Sequence, residues 1–190
     1  MKPQQEDCQA QEGLKIMYIG NEQFQVGGHT VALTVNDFWR WAFSEFSVPA
    51  VRTALAEFLT ASALDMISSG RGHAEQGCDL LWTAPDGENI RVGVHSAAFI
   101  RPDDTEHPER VIFDTPAEQS CNVHVFGVCK ALTRNESPLN TDLWDFYSIP
   151  ERKIGKNMAN LSLASLMRLE PLWSDYYGIA GAVLSVLSKS

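Results

Sequence analysis

The chain has 190 residues, of which 44% are hydrophobic and 21% charged, and its formal net charge is −9 at pH 7. This length and composition allow one substantial hydrophobic core and argue against two independent ones. We therefore expect a single domain over residues 13–190. Residues 1–12 are polar and lack hydrophobic periodicity, which predicts a disordered N-terminal arm.

Membrane insertion is not expected from the hydrophobic pattern. No apolar run approaches the roughly 20 residues needed to cross a bilayer, and the first residues lack the basic-then-apolar order of a signal peptide. The sequence therefore predicts a cytoplasmic protein without a membrane partner.

The acidic balance bears on the class of partner, because 15 Lys and Arg stand against 24 Asp and Glu. Nucleic-acid affinity depends largely on basic side chains that neutralise phosphates. The charge thus favours a protein partner, while a nucleic acid stays open as an alternative if arginines gather locally. The oligomeric state is left open.

Cysteine spacing gives no sign of a metal or disulfide framework. Cys8, Cys78, Cys121 and Cys129 form no CxxC pair, so neither a zinc ribbon nor a disulfide scaffold is indicated. Cys121 and Cys129 lie in apolar, strand-like surroundings and are expected to be buried as small hydrophobic residues.

The first predicted elements are short strands at residues 14–19 and 23–26. Apolar residues at helical spacing follow on both sides of Pro49, which predicts two helices or one helix broken there. Asn36 or Asp37 is expected to cap the first helix, since a side-chain oxygen at that point accepts a hydrogen bond from a free amide.

A β-hairpin is predicted next, because two strand-like runs flank the Pro-Asp-Gly turn at residues 85–87. Asp79 begins the first run, and Gly93 and His95 lie in the second. Side chains alternate along a strand, so residues 93 and 95 share one face and could share it with Asp79 across the pair.

The rest of the chain predicts a sheet covered by helices. Residues 122–131 are typical of a strand buried on both faces, and residues 144–149 predict another strand. The order of elements is that of an α/β fold. The remaining predictions are a short strand inside the long connection at residues 101–118, at 111–113, a helix or strand at 161–166, and a closing helix within 176–187.

The hairpin resembles the metal site of the PD-(D/E)XK nuclease superfamily, whose restriction-endonuclease-like fold carries Asp on one strand and Glu or Gln, any residue and Lys on the next. It is similar, more narrowly, to a bacterial group in which the second strand reads Glu-Val-Lys-Ser-Ser-Ala-Tyr. Residues 93–99 here read GVHSAAF. Further likeness covers residues 37–42 with 52–58, 123–126, and 144–147 leading to 161–166, together most of residues 20–172.

The resemblance implies a mixed central sheet flanked by helices and a site for a divalent metal. Asp79 would be a vestigial or surviving metal ligand, and Glu57, on a helix, a second one. His95 stands where the family has Lys, and Gly93 where it has an acid. Asp79, Glu57 and the Val94 carbonyl could hold one weak Mg²⁺ or Mn²⁺; otherwise no cofactor is expected.

Two further positions depart from the bacterial group. Asn122 stands where its members have an acid, and Ala97 where they have Ser. Several departures within one motif network indicate decay of the active site.

Three functions remain open, and a non-enzymatic function is favoured over an enzymatic one. The first is a catalytically degenerate nuclease-fold protein that binds a protein or a nucleic acid, in a defence or anti-defence setting suggested only by the superfamily. The second is an active Mg²⁺- or Mn²⁺-dependent nuclease that uses Asp79, Glu57 and His95, with His95 as the base. The third is a small α/β interaction protein unrelated to nucleases, in which His95 is a packed structural residue.

Overall fold

The computed structural model describes residues 18–67, 78–113, 115, 120–131, 136–154 and 159–188. The chain divides into two compact units, Met1–Ser44 and Glu45–Ser190. The single domain predicted over residues 13–190 stays a prediction, because compact units within a chain need not fold independently. The arm predicted at residues 1–12 lies outside the described residues. Of the helices in the described part, none is long and apolar enough to cross a membrane.

The first unit contains β1 (Gln23–Val26), β2 (His29–Thr34) and α1 (Val35–Phe43). β1 and β2 pair antiparallel across Gly27 and Gly28, whose φ angles are +58° and +81°. Two successive residues with positive φ are what a two-residue hairpin turn of this kind requires, and glycine adopts them without strain. The strand at β1 was predicted correctly. β2 was not predicted, although the Gly27-Gly28 turn before it is a signal for a hairpin.

Thr34, and not Asn36 or Asp37, caps α1. The Thr34 hydroxyl accepts a hydrogen bond from the amide of Asp37 at 3.2 Å, and the Asp37 carboxylate accepts one from the amide of Thr34 at 2.9 Å. This reciprocal arrangement is a capping box, in which the acid lies three residues after the cap. The predicted cap was wrong because Asp37 fills the third position of the box.

The second unit is built on a five-stranded mixed sheet with the order β3-β4-β5-β6-β7. β4 and β5 run parallel, and the other neighbours run antiparallel. The predicted α/β class, a mixed sheet flanked by helices, is confirmed, and the restriction-endonuclease-like topology stays a prediction. The strands are β3 (Leu80–Thr83), β4 (Asn89–Ala98), β5 (Val123–Cys129), β6 (Trp144–Pro150) and the unpredicted β7 (Leu172–Ser174).

Helices lie on both faces of this sheet. α2 (Pro49–Ala63) and α5 (Ile179–Ser188) pack on the face that carries Val94 and Val125. Proline is favoured in the first turn of a helix, where no amide partner is lost, so Pro49 begins α2 and the prediction of two helices is confirmed. α5 confirms the predicted closing helix.

The opposite face of the sheet packs against α4 (Leu163–Arg168), which resolves the helix-or-strand alternative at residues 161–166 as a helix. Phe113 and Phe126 are both fully buried there, with ring centroids 4.9 Å apart. In place of the strand expected at residues 111–113 there is one isolated bridge, between Ile112 and Ser162. The long connection therefore contributes core side chains more than strand pairing.

The predicted hairpin is confirmed by the pairing of β3 with β4, from Leu80 opposite Val92 to Thr83 opposite Asn89. The turn closes through a hydrogen bond that the amide of Gly87 donates to the carbonyl of Ala84 at 2.9 Å. Gly87 has φ of +89°, a conformation that residues with a Cβ rarely adopt. The turn sequence thus fixes the register that brings Asp79 towards β4.

Candidate functional site

Asp79 lies directly before β3, at the point where the hairpin pairing ends. Since Leu80 pairs with Val92, the antiparallel register places Asp79 across from Gly93. The Asp79 Oδ2 atom accepts a hydrogen bond from the amide of Val94 at 2.7 Å. The carboxylate oxygen of Asp79 therefore accepts the hydrogen bond that a backbone carbonyl would accept if the strand pairing continued.

His95 lies in the middle of β4 and is only 1% exposed. Its ring stacks on His124 of β5, with centroids 5.2 Å apart, and contacts Phe126 at 4.7 Å. Alternation along β4 places His95 on the same face as Gly93 and Ala97. The imidazole of His95 is thus packed in the core.

A chain of hydrogen bonds runs from His95 towards the surface. His95 Nε2 lies 3.0 Å from His124 Nδ1, and His124 Nε2 is hydrogen-bonded to Glu151 Oε2. With His124 Nε2 donating to the Glu151 carboxylate, its Nδ1 is left to accept from the Nε2–H of His95. Glu151 begins α3 (Glu151–Ile154), and its side chain is 36% exposed. These hydrogen bonds therefore connect the buried imidazole of His95 to the carboxylate of Glu151, which is in contact with solvent.

Burial keeps both imidazoles neutral near pH 7. Desolvation, together with the charge of His124, lowers the pKa of His95 to about 3. Desolvation also lowers the pKa of His124, against the opposing effects of the hydrogen bond and charge of Glu151 and the charge of Asp79. This position thus lacks the permanent cation that a lysine would supply, and the charge of Asp79 acts on His124.

Glu57 lies on the other side of the sheet. The Thr53 hydroxyl of α2 is 2.8 Å from the hydroxyl of Ser96. Ser96 is next to His95 in β4, so its side chain points to the opposite face. Glu57 follows Thr53 by one helical turn and is buried between α2 and that face.

The strand register and the packing of α2 therefore distribute the predicted site residues over two faces of the sheet. Asp79 precedes β3 opposite Gly93, so the register puts it on the face that carries His95, whereas Glu57 lies on α2, which packs on the other face. A Mg²⁺ or Mn²⁺ site shared by Asp79 and Glu57 stays a prediction. Among the residues that the structure describes, no group of three or more His, Cys, Asp or Glu side chains is placed to hold a metal ion.

His124 and Glu151 were missed by the sequence analysis. The sequence predicts His124 only as part of an apolar strand, and its contact with His95 depends on the parallel register of Gly93 opposite His124. The available signal was chemical: a histidine inside a strand buried on both faces needs a hydrogen-bond partner.

The thiols of Cys78 and Cys121 interact close to this cluster, and burial raises the pKa of each. Cys78, Cys121 and Cys129 are all unoxidised and buried, which confirms the predicted burial of Cys121 and Cys129. Because a thiol with a raised pKa stays protonated near pH 7, these side chains behave as weakly polar core residues.

No family model, curated protein or solved structure matches this chain. The nuclease resemblance drawn from the hairpin therefore stays a prediction.

Proposed function

We propose that this chain is a nuclease-fold protein that has lost nuclease chemistry and acts by binding a protein partner. The observation that carries the proposal is the state of His95, which is buried, stacked and neutral. Metal-dependent phosphodiester cleavage benefits from a cation that orients the attacking water and offsets charge in the transition state. A neutral imidazole with 1% exposure offers no such group to a substrate.

The other positions of the motif support the same conclusion. Gly93 has no side chain to bind a metal, and the Asp79 carboxylate is engaged by the amide of Val94. Glu57 lies behind the sheet as seen from His95. The alternative of an active nuclease that uses Asp79, Glu57 and His95 would need these three side chains on one face.

The charge of the chain favours a protein over a nucleic acid as the partner. With 24 acidic and 15 basic residues, long-range electrostatics repel a polyphosphate and attract a basic protein surface. The cytoplasmic location and the defence or anti-defence setting belong to this proposal and rest on the sequence alone.

A cleavage assay tests the loss of chemistry. The full chain is incubated with supercoiled plasmid and with single-stranded DNA over a range of Mg²⁺ and Mn²⁺ concentrations. The Asp79→Asn variant is assayed in parallel. The asparagine oxygen can still accept the hydrogen bond from Val94, so this variant removes the charge with little disturbance of the strand. We expect no difference between the two proteins. Metal-dependent cleavage by the unmodified chain that Asp79→Asn abolishes would overturn the proposal.

A binding assay tests the choice of partner class separately. Fluorescence anisotropy of labelled double-stranded and single-stranded oligonucleotides is measured at about 0.15 M salt. Non-specific DNA binding by basic proteins has a Kd on the order of 10⁻⁴ to 10⁻⁶ M under such conditions, and we expect this acidic chain to bind more weakly than that range. A Kd below about 10⁻⁶ M with a steep salt dependence would make nucleic acid the partner.

A further inference from the structure

The described residues of the first unit, 18–44, expose nearly all of their large apolar side chains. Within its described residues, 18–44, only Gly20 is buried. α1 contains no buried residue, and every residue of β1 is exposed. Six of these side chains define what we call the apolar surface: Phe24, Val26, Leu33, Phe38, Trp41 and Phe43.

The pattern of these side chains is ordered. Phe24 and Val26 alternate along β1, and the pairing of Gln23 with Thr34 places Leu33, the neighbour of Thr34, on the face of Phe24. On α1 the polar residues occupy one arc and the aromatic residues the remainder, as in a helix that buries one side. α1 follows β2 without an intervening residue, so both faces belong to one compact unit.

Such a unit gains little stability from its own contacts. A two-stranded hairpin is marginal in water, and isolated helices shorter than about 12–15 residues are marginal as well. Contiguous apolar patches on this scale mark interaction sites in folded proteins. The amphipathic order of β1, β2 and α1 therefore indicates burial against a further surface.

We propose that this further surface is the apolar surface of a second copy, so that the chain forms a homodimer. Residues 18–44 carry Glu22 and Asp37 against Arg40, a formal net charge of −1, out of −9 for the whole chain. Two copies can meet here with little repulsion, whereas the remaining charge of −8 (−9 minus −1) opposes contact elsewhere.

The available area agrees with a dimer. At an average of roughly 100 Å² for each of these exposed side chains, the six present about 600 Å² per copy. A two-fold contact would then bury about 1,200 Å² in total, the lower end of stable interfaces. In such a contact the same patch serves both copies, so Trp41 of each copy would be buried by apolar groups of the other. The inference stands independently of the proposed loss of nuclease chemistry.

Sedimentation velocity of the full chain from about 1 to 100 µM tests the dimer. The chain has a mass of 21.1 kDa, so a dimer sediments with twice that mass. Trp41→Gln removes the most exposed aromatic of the apolar surface, and Ile100→Gln is its control, because the two side chains are 82% and 84% exposed and Ile100 lies in the second unit. We expect Trp41→Gln to raise the dimer Kd at least tenfold and Ile100→Gln to leave it unchanged.

Circular dichroism of each variant checks that its secondary structure is kept, and Phe38→Gln provides a second probe of the same surface if Trp41→Gln fails to fold. A chain that stays monomeric up to 100 µM would overturn the proposal. So would a dimer that Ile100→Gln weakens as much as Trp41→Gln and Phe38→Gln do.

Discussion

At the scale of single residues, the burial of His95 predicts that a lysine cannot return to this position without cost. His95→Lys would place an ammonium group among His124, Phe126 and other buried side chains. An unpaired buried cation destabilises a fold by several kcal/mol. We expect His95→Lys to lower the free energy of unfolding by about 3 kcal/mol more than His95→Gln does, as measured by urea denaturation at pH 7. Equal stability of the two variants would mean that the position tolerates a cation, which would weaken the proposed function.

The same residue predicts a pH dependence of stability. His95 has a pKa of about 3 in the folded chain, against 6.5 as its ordinary value. Between these values the unfolded state binds more protons than the folded state, so the free energy of unfolding falls as the pH drops below 6.5. One such group contributes about 1 kcal/mol per pH unit between pH 6 and 5, where carboxylates have not yet titrated.

His95→Gln should remove this contribution and flatten the stability profile over that interval. Its amide nitrogen can still donate to His124, and the lowered pKa of His124 acts with the same sign in both proteins. Urea denaturation at pH 6.0, 5.5 and 5.0 gives the two slopes. Identical slopes would contradict a neutral, buried His95.

At the scale of elements, replacing glycine by alanine is expected to have opposite effects on stability in the hairpin turn and in the closing helix. A Cβ at Gly87 or at Gly181 would stand in open space, so sterics do not separate the two sites. Gly87 has φ of +89°, which strains alanine, whereas Gly181 lies inside α5, where alanine is favoured over glycine. We expect Gly87→Ala to destabilise the chain by about 1 kcal/mol and Gly181→Ala to stabilise it by about 0.5–1 kcal/mol.

Thermal unfolding at pH 7 distinguishes these outcomes. Glu88→Ala is the control, because it changes a residue beside the turn and keeps the glycine at position 87. A loss of stability in Gly181→Ala equal to that in Gly87→Ala would mean that side-chain volume, and not backbone conformation, decides both sites.

Elements whose signals are local were predicted from the sequence, and those set by distant partners were not. The turn at residues 85–87, Pro49 at the start of α2 and the apolar period of α5 each act within a few residues. β7 has three residues and exists because Trp173 pairs with Tyr147 of β6. A pairing between residues far apart in sequence produces no pattern that can be recognised within three residues.

The same distinction explains the candidate site. The facing of Asp79 and Gly93 follows from the hairpin and could be predicted. The contact of His95 with His124 depends on the parallel pairing of β4 with β5, which are joined by a long crossover. The position of Glu57 depends on which face of the sheet α2 covers, and strand alternation cannot decide that.

At the scale of the whole molecule, the two units differ in what they bury. β5 of the second unit is buried along its whole length, and its neighbours pair on both sides. In the first unit, among residues 18–44, only Gly20 is buried. Since local opening is opposed mainly by buried apolar contacts, the two units should open with different free energies.

Hydrogen exchange detected by mass spectrometry measures this difference. At about 1 µM protein, we expect amides of β1, β2 and α1 to exchange at least 100-fold faster than those of β4 and β5, because a difference in opening free energy of about 3 kcal/mol corresponds to that ratio. At about 100 µM, dimerisation through the apolar surface should slow exchange in the first unit only, since a contact that exists only in the folded dimer stabilises it by mass action. Protection that is equal in both units at 1 µM would show that the first unit is already covered within a single chain, which would leave the apolar surface closed to a second copy.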